Sequence, residues 1–316
     1  ASEQWYKQAF AGFLELEQQS HDDKLQYRIG WLFLYGVGTG KDEAAAREWF
    51  ERASKLGNPH AQYQLARMIL DAPSSTPEQT AQALEWLTKA AEAGQDCAQY
   101  AFGKIYREGQ EIEKDIQQAV ELFTLAAEQG NSFAAFALGK LYLSGDAGLP
   151  IDPPSALKWL TFSAELGNQF AQYRLGKLLL QGEEVPKDTE AAIRWLTAAA
   201  EQGNQYAQYA LGKLYLLGKE VPKDKSNAIK WFQLAADQGN EYAKYFLEHM
   251  DDRLGQPPAA AVISLLHHLA NIFQEQSQPP SDGIRVAVDR KLLRKIKAKK
   301  IAQGHKADDH EPEMKF

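Results

Sequence analysis

The segment GVGTGKD at residues 36–42 is the stretch of this sequence that most resembles a phosphate-binding loop. Such loops bind phosphate because their backbone N–H groups converge on the anion while a lysine neutralises its charge. A nucleotide-binding loop requires a longer spacing between its first glycine and the Gly-Lys pair, and then Ser or Thr. Here three residues separate Gly36 from Gly40, and Asp42 follows Lys41. We therefore interpret the segment as a turn between two helices.

Histidines are the next residues that could support chemistry, as ligands of a metal ion. His267 and His268 are adjacent, so on a helix they point about 100° apart and cannot easily share a metal ion. His305 and His310, with acidic residues between them, could ligate a metal ion, but no cysteine or packed second shell supports such a site. The sequence also has no nucleophile–base signature and no glycine-rich cofactor fingerprint. We predict no catalytic residue, no metal site, no cofactor and no small-molecule substrate.

Lysines recur at one position of the sequence repeat described below: Lys104, Lys140, Lys177 and Lys213. Tyrosines stand one helical turn before three of them, at Tyr100, Tyr173 and Tyr209. One interpretation is a basic stripe that binds an acidic partner with help from the tyrosines. The other is a solvated edge built from residues that favour helix.

A basic segment lies near the end of the chain. Residues 285–300 contain eight Lys or Arg and one acid, Asp289, and without residues 285–316 the remaining 284 residues carry a net charge of −12. This segment could bind DNA, a partner protein or the acidic remainder of the chain. The residues that would make the contacts are Arg285, Arg290, Lys291, Arg294, Lys295, Lys297, Lys299 and Lys300.

An internal repeat of 36–37 residues must position all of these side chains. The segment AQYALGKLYL at 207–216 recurs as AQYRLGKLLL, AAFALGKLYL and AQYAFGKIYR, with weaker copies before them. An aromatic residue, a tryptophan (once leucine) and a glycine keep the same period in three independent rows. The glycines are Gly57, Gly94, Gly130, Gly167, Gly203 and Gly239. A repeat of this length indicates a stack of helix pairs.

Each repeat is predicted to form two helices. Ala207, Leu211 and Leu214 fall on one face of the first helix. The turn GKEVPKD at 218–224 ends it, and Ile229, Phe232 and Ala236 are expected to face inward from the second. The second repeat departs most, because Ala66 replaces a glycine and DAPSSTPEQT replaces the usual turn.

The predicted architecture is an all-α α-solenoid of about six helix-turn-helix repeats with capping helices at both ends. A capping helix in residues 1–24, with Tyr6, Phe10, Phe13 and Leu14 on one side, precedes repeats in residues 25–250. A closing helix in residues 251–276, a linker in residues 277–288, and a basic amphipathic helix with a polar tail in residues 289–316 follow.

Apolar stretches, the N-terminus and the cysteine count limit the class of protein. No stretch approaches the roughly 18 apolar residues that a membrane span needs, and we expect no membrane contact. No signal peptide is visible, and the first residue is Ala1 rather than Met, so we expect a processed chain or an excised fragment. The single cysteine, Cys97, is expected to be a small core residue in a reducing compartment, which predicts a cytoplasmic protein.

The pattern A-x-Y-x-L-G-x-x-Y-x-x-G, then P-x-D, then A-x-x-W-x-x-x-A-A-x-x-G-N resembles the Sel-one-like repeat, a relative of the tetratricopeptide repeat. The resemblance covers residues 25–250 and implies a solenoid that acts as a protein–protein adaptor without chemistry of its own. On this basis we expect a non-catalytic scaffold with a protein partner.

The last residues carry a second, narrower resemblance. VDRKLLRKIKAKKIAQGHKADDHE behind such repeats is similar to the C-terminal region of mobilisation relaxases from conjugative elements of Gram-positive bacteria. In those proteins a nickase domain with a His-x-His pair precedes the repeats. This sequence has no such pair, so the resemblance implies an accessory region whose nickase, if any, would lie upstream. The alternative function is a nucleic-acid-binding accessory module acting through residues 285–300.

Overall fold

The computed structural model describes residues 2–72, 75–109, 113–146 and 148–248, which form two compact units divided between Asp115 and Ile116. Their regular secondary structure is entirely helical. The closing helix predicted at residues 251–276, the linker and the basic tail lie outside the described residues, so these assignments stay predictions.

The first unit contains a leading helix followed by helices that pack in sequence. These are α1 (Ser2–Ser20), α2 (Asp23–Tyr35), α3 (Glu43–Lys55), α4 (Pro59–Leu70), α5 (Pro77–Glu92) and α6 (Asp96–Glu108). Helix α1 packs on α2, where the rings of Phe10 and Phe33 meet edge to face with centroids 5.1 Å apart. Phe13 and Leu14 are half-buried, but Tyr6 is exposed, and Glu17 is the buried residue that the sequence pattern missed.

The second unit continues the alternation. Its helices are α7 (Ile116–Glu128), α8 (Ser132–Ser144), α9 (Pro153–Glu165), α10 (Gln169–Gln181), α11 (Thr189–Glu201), α12 (Gln205–Leu217), α13 (Lys225–Asp237) and α14 (Glu241–Glu248). We call the even-numbered helices from α2 to α14 A helices, and the odd-numbered helices from α3 to α13 B helices. Each B helix follows the A helix of its own repeat.

Residues at the helix ends set the repeat length. Gly203 adopts a φ of 91° after α11, a conformation that favours glycine. This turn lets the N–H of Asn204 donate to the carbonyl of Ala199 at 3.0 Å, while Oδ1 of Asn204 accepts from the N–H of Ala207 at 3.0 Å. At the other turn, Asp224 caps α13 in the same way through the N–H of Asn227. That backbone hydrogen bond from Asn227 holds the pKa of Asp224 below its usual value.

A glycine in the middle of the A helix allows its B helix to pack closely. A Cβ atom at Gly176 would lie 2.8 Å from Cγ of Leu196 and 2.9 Å from the carbonyl oxygen of Ala192. Equivalent contacts exist between Gly30 and Phe50, between Gly139 and Leu160, and between Gly212 and Phe232. The second repeat has Ala66 at this position, fully buried, so there the packing accommodates one methyl group.

Buried glutamines link successive helices. Nε2 of Gln172 donates to the carbonyl of Ala164 on α9 at 3.1 Å, and its Oε1 accepts from Nε2 of Gln202 at the end of α11 at 2.7 Å. Gln208 repeats both contacts with Ala200 and Gln238. Each glutamine therefore links its own A helix to two B helices.

The first repeat has only half of this arrangement. No B helix precedes α2, and Nε2 of Gln26 instead donates to Oε1 of Glu17 on α1 at 2.8 Å. Leu56 occupies the position of Gln202, and among the described residues no donor reaches the buried Oε1 of Gln26. The leading helix therefore supplies the acceptor that a preceding repeat would provide, while the donor is missing.

Two details of the predicted core are wrong. Ile229 is 41% exposed, because Ala228, Phe232, Ala235 and Ala236 form the inward stripe of α13 and Ile229 lies beside it. Cys97 is half-buried rather than a core residue, since it stands at the second position of α6 beside Asp96. Burial and the nearby Asp96 raise the pKa of its thiol, which opposes formation of a reactive thiolate.

We expect Gly176→Ala to lower the free energy of unfolding by about 1–3 kcal/mol, because the new methyl group meets a backbone carbonyl that cannot move cheaply. The control is Gly12→Ala in α1, where nothing lies within 4 Å of the added Cβ. That change should raise the free energy of unfolding by up to about 1 kcal/mol through helix propensity. Urea denaturation followed by circular dichroism measures both, and equal shifts would contradict the packing argument.

We expect Leu56→Gln to raise the free energy of unfolding by about 0.5–1.5 kcal/mol, since it supplies the missing donor to Gln26. The exposed Leu56 has φ −85° and ψ 1°, close to the −77° and 1° of Gln202. Leu166→Gln is the matched control, because it faces a repeat with Ala135 in place of the acceptor glutamine. A gain of the same size in both variants would show that the hydrogen bond is not responsible.

Candidate partner-binding surface

The four predicted lysines lie on A helices, divided between the two units. Lys104 is on α6 in the first unit, and Lys140, Lys177 and Lys213 are on α8, α10 and α12 in the second. Lys104 is only 8% exposed, Lys140 and Lys177 are half-buried, and Lys213 is exposed. The alternative prediction of a solvated edge is therefore wrong for Lys104, which is buried.

The first two lysines of this row, Lys104 and Lys140, lie close to aromatic rings. Nζ of Lys104 is 5.8 Å from the ring centroid of Tyr100, and Nζ of Lys140 is 5.7 Å from that of Phe136. Both pairs are one helical turn apart, as the sequence spacing predicts. The ring faces offer these partly desolvated ammonium groups a favourable electrostatic contact.

In the second unit, basic side chains lie close enough to repel one another. The pKa of Lys177 is lowered, first by burial and then by the positive charges of Arg174 and Lys213. A small cavity of about 170 Å³ opens beside Arg174 and Lys177 on α10. Its other lining residues are Leu178, Gln181, Glu183 and Glu184. We define Arg174, Lys177 and Lys213 as the basic cluster.

Aromatic rings accompany the basic cluster along the A helices of the second unit. Tyr173 and Tyr206 have ring centroids 6.0 Å apart, and Tyr209 and Tyr242 have centroids 5.9 Å apart. Burial, together with Tyr242 and Tyr173, raises the pKa of Tyr209 to about 12, and burial also raises the pKa of Tyr173. These rings therefore stay neutral and act as apolar surfaces with hydroxyl donors.

The sequence pattern identified Tyr100, Tyr173 and Tyr209 as candidate site residues. It missed a second row of aromatic residues beside them, and it missed Arg174. Phe133, Phe170, Tyr206 and Tyr242 recur at separations of 37, 36 and 36 residues near the start of successive A helices. This fourth periodic row was visible in the sequence. Arg174 had no such signal, since alanine occupies its position in the neighbouring repeats at Ala137 and Ala210.

The glycine-rich segment at residues 36–42 is the turn between α2 and α3, as predicted. The N–H of Gly36 donates to the carbonyl of Leu32, and Asp42 caps α3 through the N–H of Ala45. Lys41 forms a 2.8 Å ion pair with Glu43. Both the glycine and the aspartate therefore have roles in ending and starting helices.

The described ranges contain neither a metal-binding cluster nor a membrane-spanning helix. No group of three or more His, Cys, Asp or Glu residues there could hold a metal ion. No helix within the same residues has both the length and the apolar character of a membrane span. His267, His268, His305, His310 and the basic residues between Arg285 and Lys300 lie outside them.

Six segments of the chain match the Sel1 repeat family, namely residues 24–58, 59–95, 98–131, 132–168, 169–204 and 205–240. They cover well over half of the sequence, and the chain therefore belongs to the Sel1 repeat family. The number of repeats agrees with the sequence prediction. Repeats of this family are typical protein–protein interaction scaffolds and are in general non-catalytic.

Several solved structures resemble the chain, and two of them are described here. A Sel1 repeat protein from Oxalobacter formigenes is 35% identical, with a TM-score of 0.62, over 73% of this chain and 66% of that one. The protein c5321, a protective antigen of uropathogenic Escherichia coli strains with an SLR fold, is 28% identical, with a TM-score of 0.67, over 93% of this chain and 64% of that one. The chain thus spans just under two thirds of each relative. No curated protein matches it. Together with the family match, these likenesses confirm the predicted all-α solenoid fold.

Proposed function

We propose that this member of the Sel1 repeat family is a non-catalytic adaptor that binds an acidic segment of a partner protein on the A helices of its second unit. The observation that carries the proposal is the basic cluster, in which Lys177 is half-buried between Arg174 and Lys213. Three positive charges in close proximity produce a local positive potential, which attracts the carboxylates of a partner segment.

The partner segment is expected to combine acidic with apolar or aromatic side chains. Carboxylates would pair with the basic cluster, Arg174 offering the planar donor set that binds a carboxylate through two hydrogen bonds. The neighbouring rings of Tyr173, Tyr206 and Tyr209 would pack against apolar or aromatic side chains of the same segment. Lys140 on α8 extends the basic row by one repeat.

A protein ligand suits this surface better than a nucleic acid. The first 284 residues carry a net charge of −12, so their long-range field repels a polyanion. A short acidic peptide needs only local complementarity. We further propose a cytoplasmic location, because the half-buried Cys97 is the only cysteine of the sequence.

A labelled oligo-glutamate peptide, with oligo-glutamine of the same length as the uncharged probe, tests the adaptor surface by fluorescence anisotropy. We expect Lys177→Glu combined with Lys213→Glu to weaken oligo-glutamate binding by about tenfold or more, since charge-assisted contacts are lost. Lys225→Glu combined with Lys230→Glu on α13 changes the net charge equally and should leave the affinity within about twofold, because surface charges act weakly at a distance.

Two results would contradict this proposal. One is equal loss of affinity in both double variants, which would show a response to net charge alone. The other is binding of the two probes with the same affinity at moderate salt. Thermal unfolding of each variant, compared with the unsubstituted chain, identifies any loss that arises from misfolding.

The alternative function is a nucleic-acid-binding accessory module that acts through residues 285–300, as in the repeat-bearing region of a mobilisation relaxase. The sequence observation that favours it is the eight Lys or Arg residues against the single Asp289 in that segment. In this alternative the repeats recruit a protein while the basic segment contacts DNA phosphates.

Duplex binding across a salt series tests the alternative. Contact with Z phosphates gives a slope of log K against log salt concentration of about −0.9Z. Replacing the eight basic residues of 285–300 with glutamine should then flatten the slope, while glutamine at Lys140, Lys177 and Lys213 should leave it unchanged. A slope that both variants share with the unsubstituted chain would rule out the basic segment as the DNA contact.

A further inference from the structure

The turn between α10 and α11 carries two adjacent glutamates, Glu183 and Glu184, beside the basic cluster. Both side chains are exposed, and both line the 170 Å³ cavity that Arg174 and Lys177 also line. One cavity is therefore bordered by basic residues on the helix and by acidic residues on the turn. The acidic side takes no part in binding the carboxylates of a partner, because it repels them.

The glutamate at the equivalent position of the next repeat, Glu220, has partners within the chain. It accepts from Nζ of Lys187 at 2.7 Å and from Oγ1 of Thr189 at 3.4 Å. The hydrogen bond from Lys187 holds the pKa of Glu220 below its usual value. In that repeat the glutamate therefore links one inter-helix turn to the turn before it.

Glu184 occupies the same place in its own turn, but the two donors are missing. The donors to Glu220 stand 33 and 31 residues before it, and the residues at those separations from Glu184 are Ile151 and Pro153. Ile151 directly precedes the cap residue of α9, as Lys187 precedes that of α11. Neither an isoleucine nor a proline side chain has a hydrogen-bond donor. The contact that holds Glu220 therefore cannot form at Glu184.

Glu183 also differs from its counterpart in the next repeat, which is Lys219. The lysine of its own turn, Lys187, is engaged by Glu220. Two exposed carboxylates thus stand side by side at the end of α10, where the following repeat has one base and one acid. This pair of negative charges serves no helix cap, since Asp188 caps α11.

The size of the cavity limits what can enter it. Sites for small molecules and cofactors usually enclose about 300–1,000 Å³, which is well above 170 Å³. Leu178, 5% exposed, is its apolar lining residue, and Gln181 lies on α10 between the basic residues and the glutamates. The cavity therefore suits one or two side chains of a bound segment rather than a whole ligand molecule.

We propose that this cavity is a subsite of the adaptor surface and takes two side chains of opposite charge from the partner segment. An acidic side chain would contact Arg174 and Lys177, and a Lys or Arg side chain would contact Glu183 and Glu184. The inference rests on the proposed function, because it assumes that an acidic partner segment occupies the basic cluster.

The spacing of the two partner side chains follows from the helix. From Arg174 to Gln181, just before the glutamates, α10 rises by about 10 Å. An extended segment spans that distance in about three residues. The acidic and the basic side chain of the partner are therefore expected about three residues apart.

The two glutamates would exclude some segments as well as bind others. A uniformly acidic segment that extends beyond the basic cluster meets like charges at Glu183 and Glu184, which disfavours it. A segment with Lys or Arg at that point forms ion pairs instead. The adaptor would therefore select a segment of mixed charge over a uniformly acidic one.

Three labelled peptides of equal length test the inference by fluorescence anisotropy with the full chain at moderate salt. They are oligo-glutamate, a glutamate block followed by a lysine block (the Glu–Lys probe), and a glutamate block followed by a glutamine block (the Glu–Gln probe). We expect the Glu–Lys probe to bind about three- to tenfold more tightly than the Glu–Gln probe, since each exposed ion pair contributes modestly.

Removing the two carboxylates should abolish this preference. In Glu183→Gln combined with Glu184→Gln, we expect the Glu–Lys and Glu–Gln probes to bind equally, and oligo-glutamate to bind about twofold more tightly or better because repulsion is lost. Glu190→Gln combined with Glu201→Gln on α11 is the matched control. It removes the same charge from exposed positions and should keep the preference.

A second variant tests the subsite without altering the residues that line it. Ile151→Lys places a lysine where Lys187 stands in the next repeat, so it should pair with Glu184 and reduce the preference for the Glu–Lys probe. Leu166→Lys adds the same charge at the end of α9, where the side chain is 44% exposed, and should leave the preference unchanged.

Two results would overturn the inference alone. One is a Glu–Lys probe that binds no more tightly than the Glu–Gln probe while oligo-glutamate binding still depends on Lys177 and Lys213. The other is a preference that survives loss of both glutamates or falls equally in the α11 control. Binding of none of the three probes would instead contradict the adaptor proposal, and the inference with it. Circular dichroism of each variant separates a lost contact from a lost fold.

Discussion

The close contact between each A helix and its own B helix is the constraint on which the rest of the structure depends. At Gly176 and Gly212 a side chain would overlap Leu196 or Phe232, so the helix axes approach only because the glycine lacks a Cβ atom. Because the distance between the A helix and the B helix of one repeat is fixed, the position of the next helix pair in the stack is fixed too. The buried glutamines Gln172 and Gln208 then connect α10 and α12 to the B helices on both sides. The repeat period of 36–37 residues in the sequence results from this packing.

Because the helix pairs repeat, a side chain at one position recurs in a spatial row within each unit. Repetition places Lys177 next to Lys213 whether or not their charges favour it, and burial with Arg174 adds to the repulsion. The aromatic rows of the A helices form by the same rule and surround the cluster. Arg174 and Lys177 are neighbours on α10, and the stacking of helices adds Lys213 of α12 to this pair of like charges.

The periodicity predicted much of the fold, because the spacing of glycine, tryptophan and tyrosine reflects contacts that every repeat must make. It also predicted the turn at residues 36–42 from its equivalence with residues 218–224. It did not predict how burial varies along a row: Lys104 is 8% exposed whereas Lys213 is exposed. That difference depends on the neighbouring side chains, which vary between repeats. Ile229 was misplaced for a related reason, since an alanine-rich stripe gives weak evidence of which helix face points inward.

Residues at equivalent positions are constrained to different degrees, and this separates structural from functional evidence. Burial and two neighbouring positive charges lower the pKa of Lys177, so a charged lysine is less favourable at this position than in water. The exposed residues before the tryptophan row cost almost nothing in either sign, so no single one of them is informative.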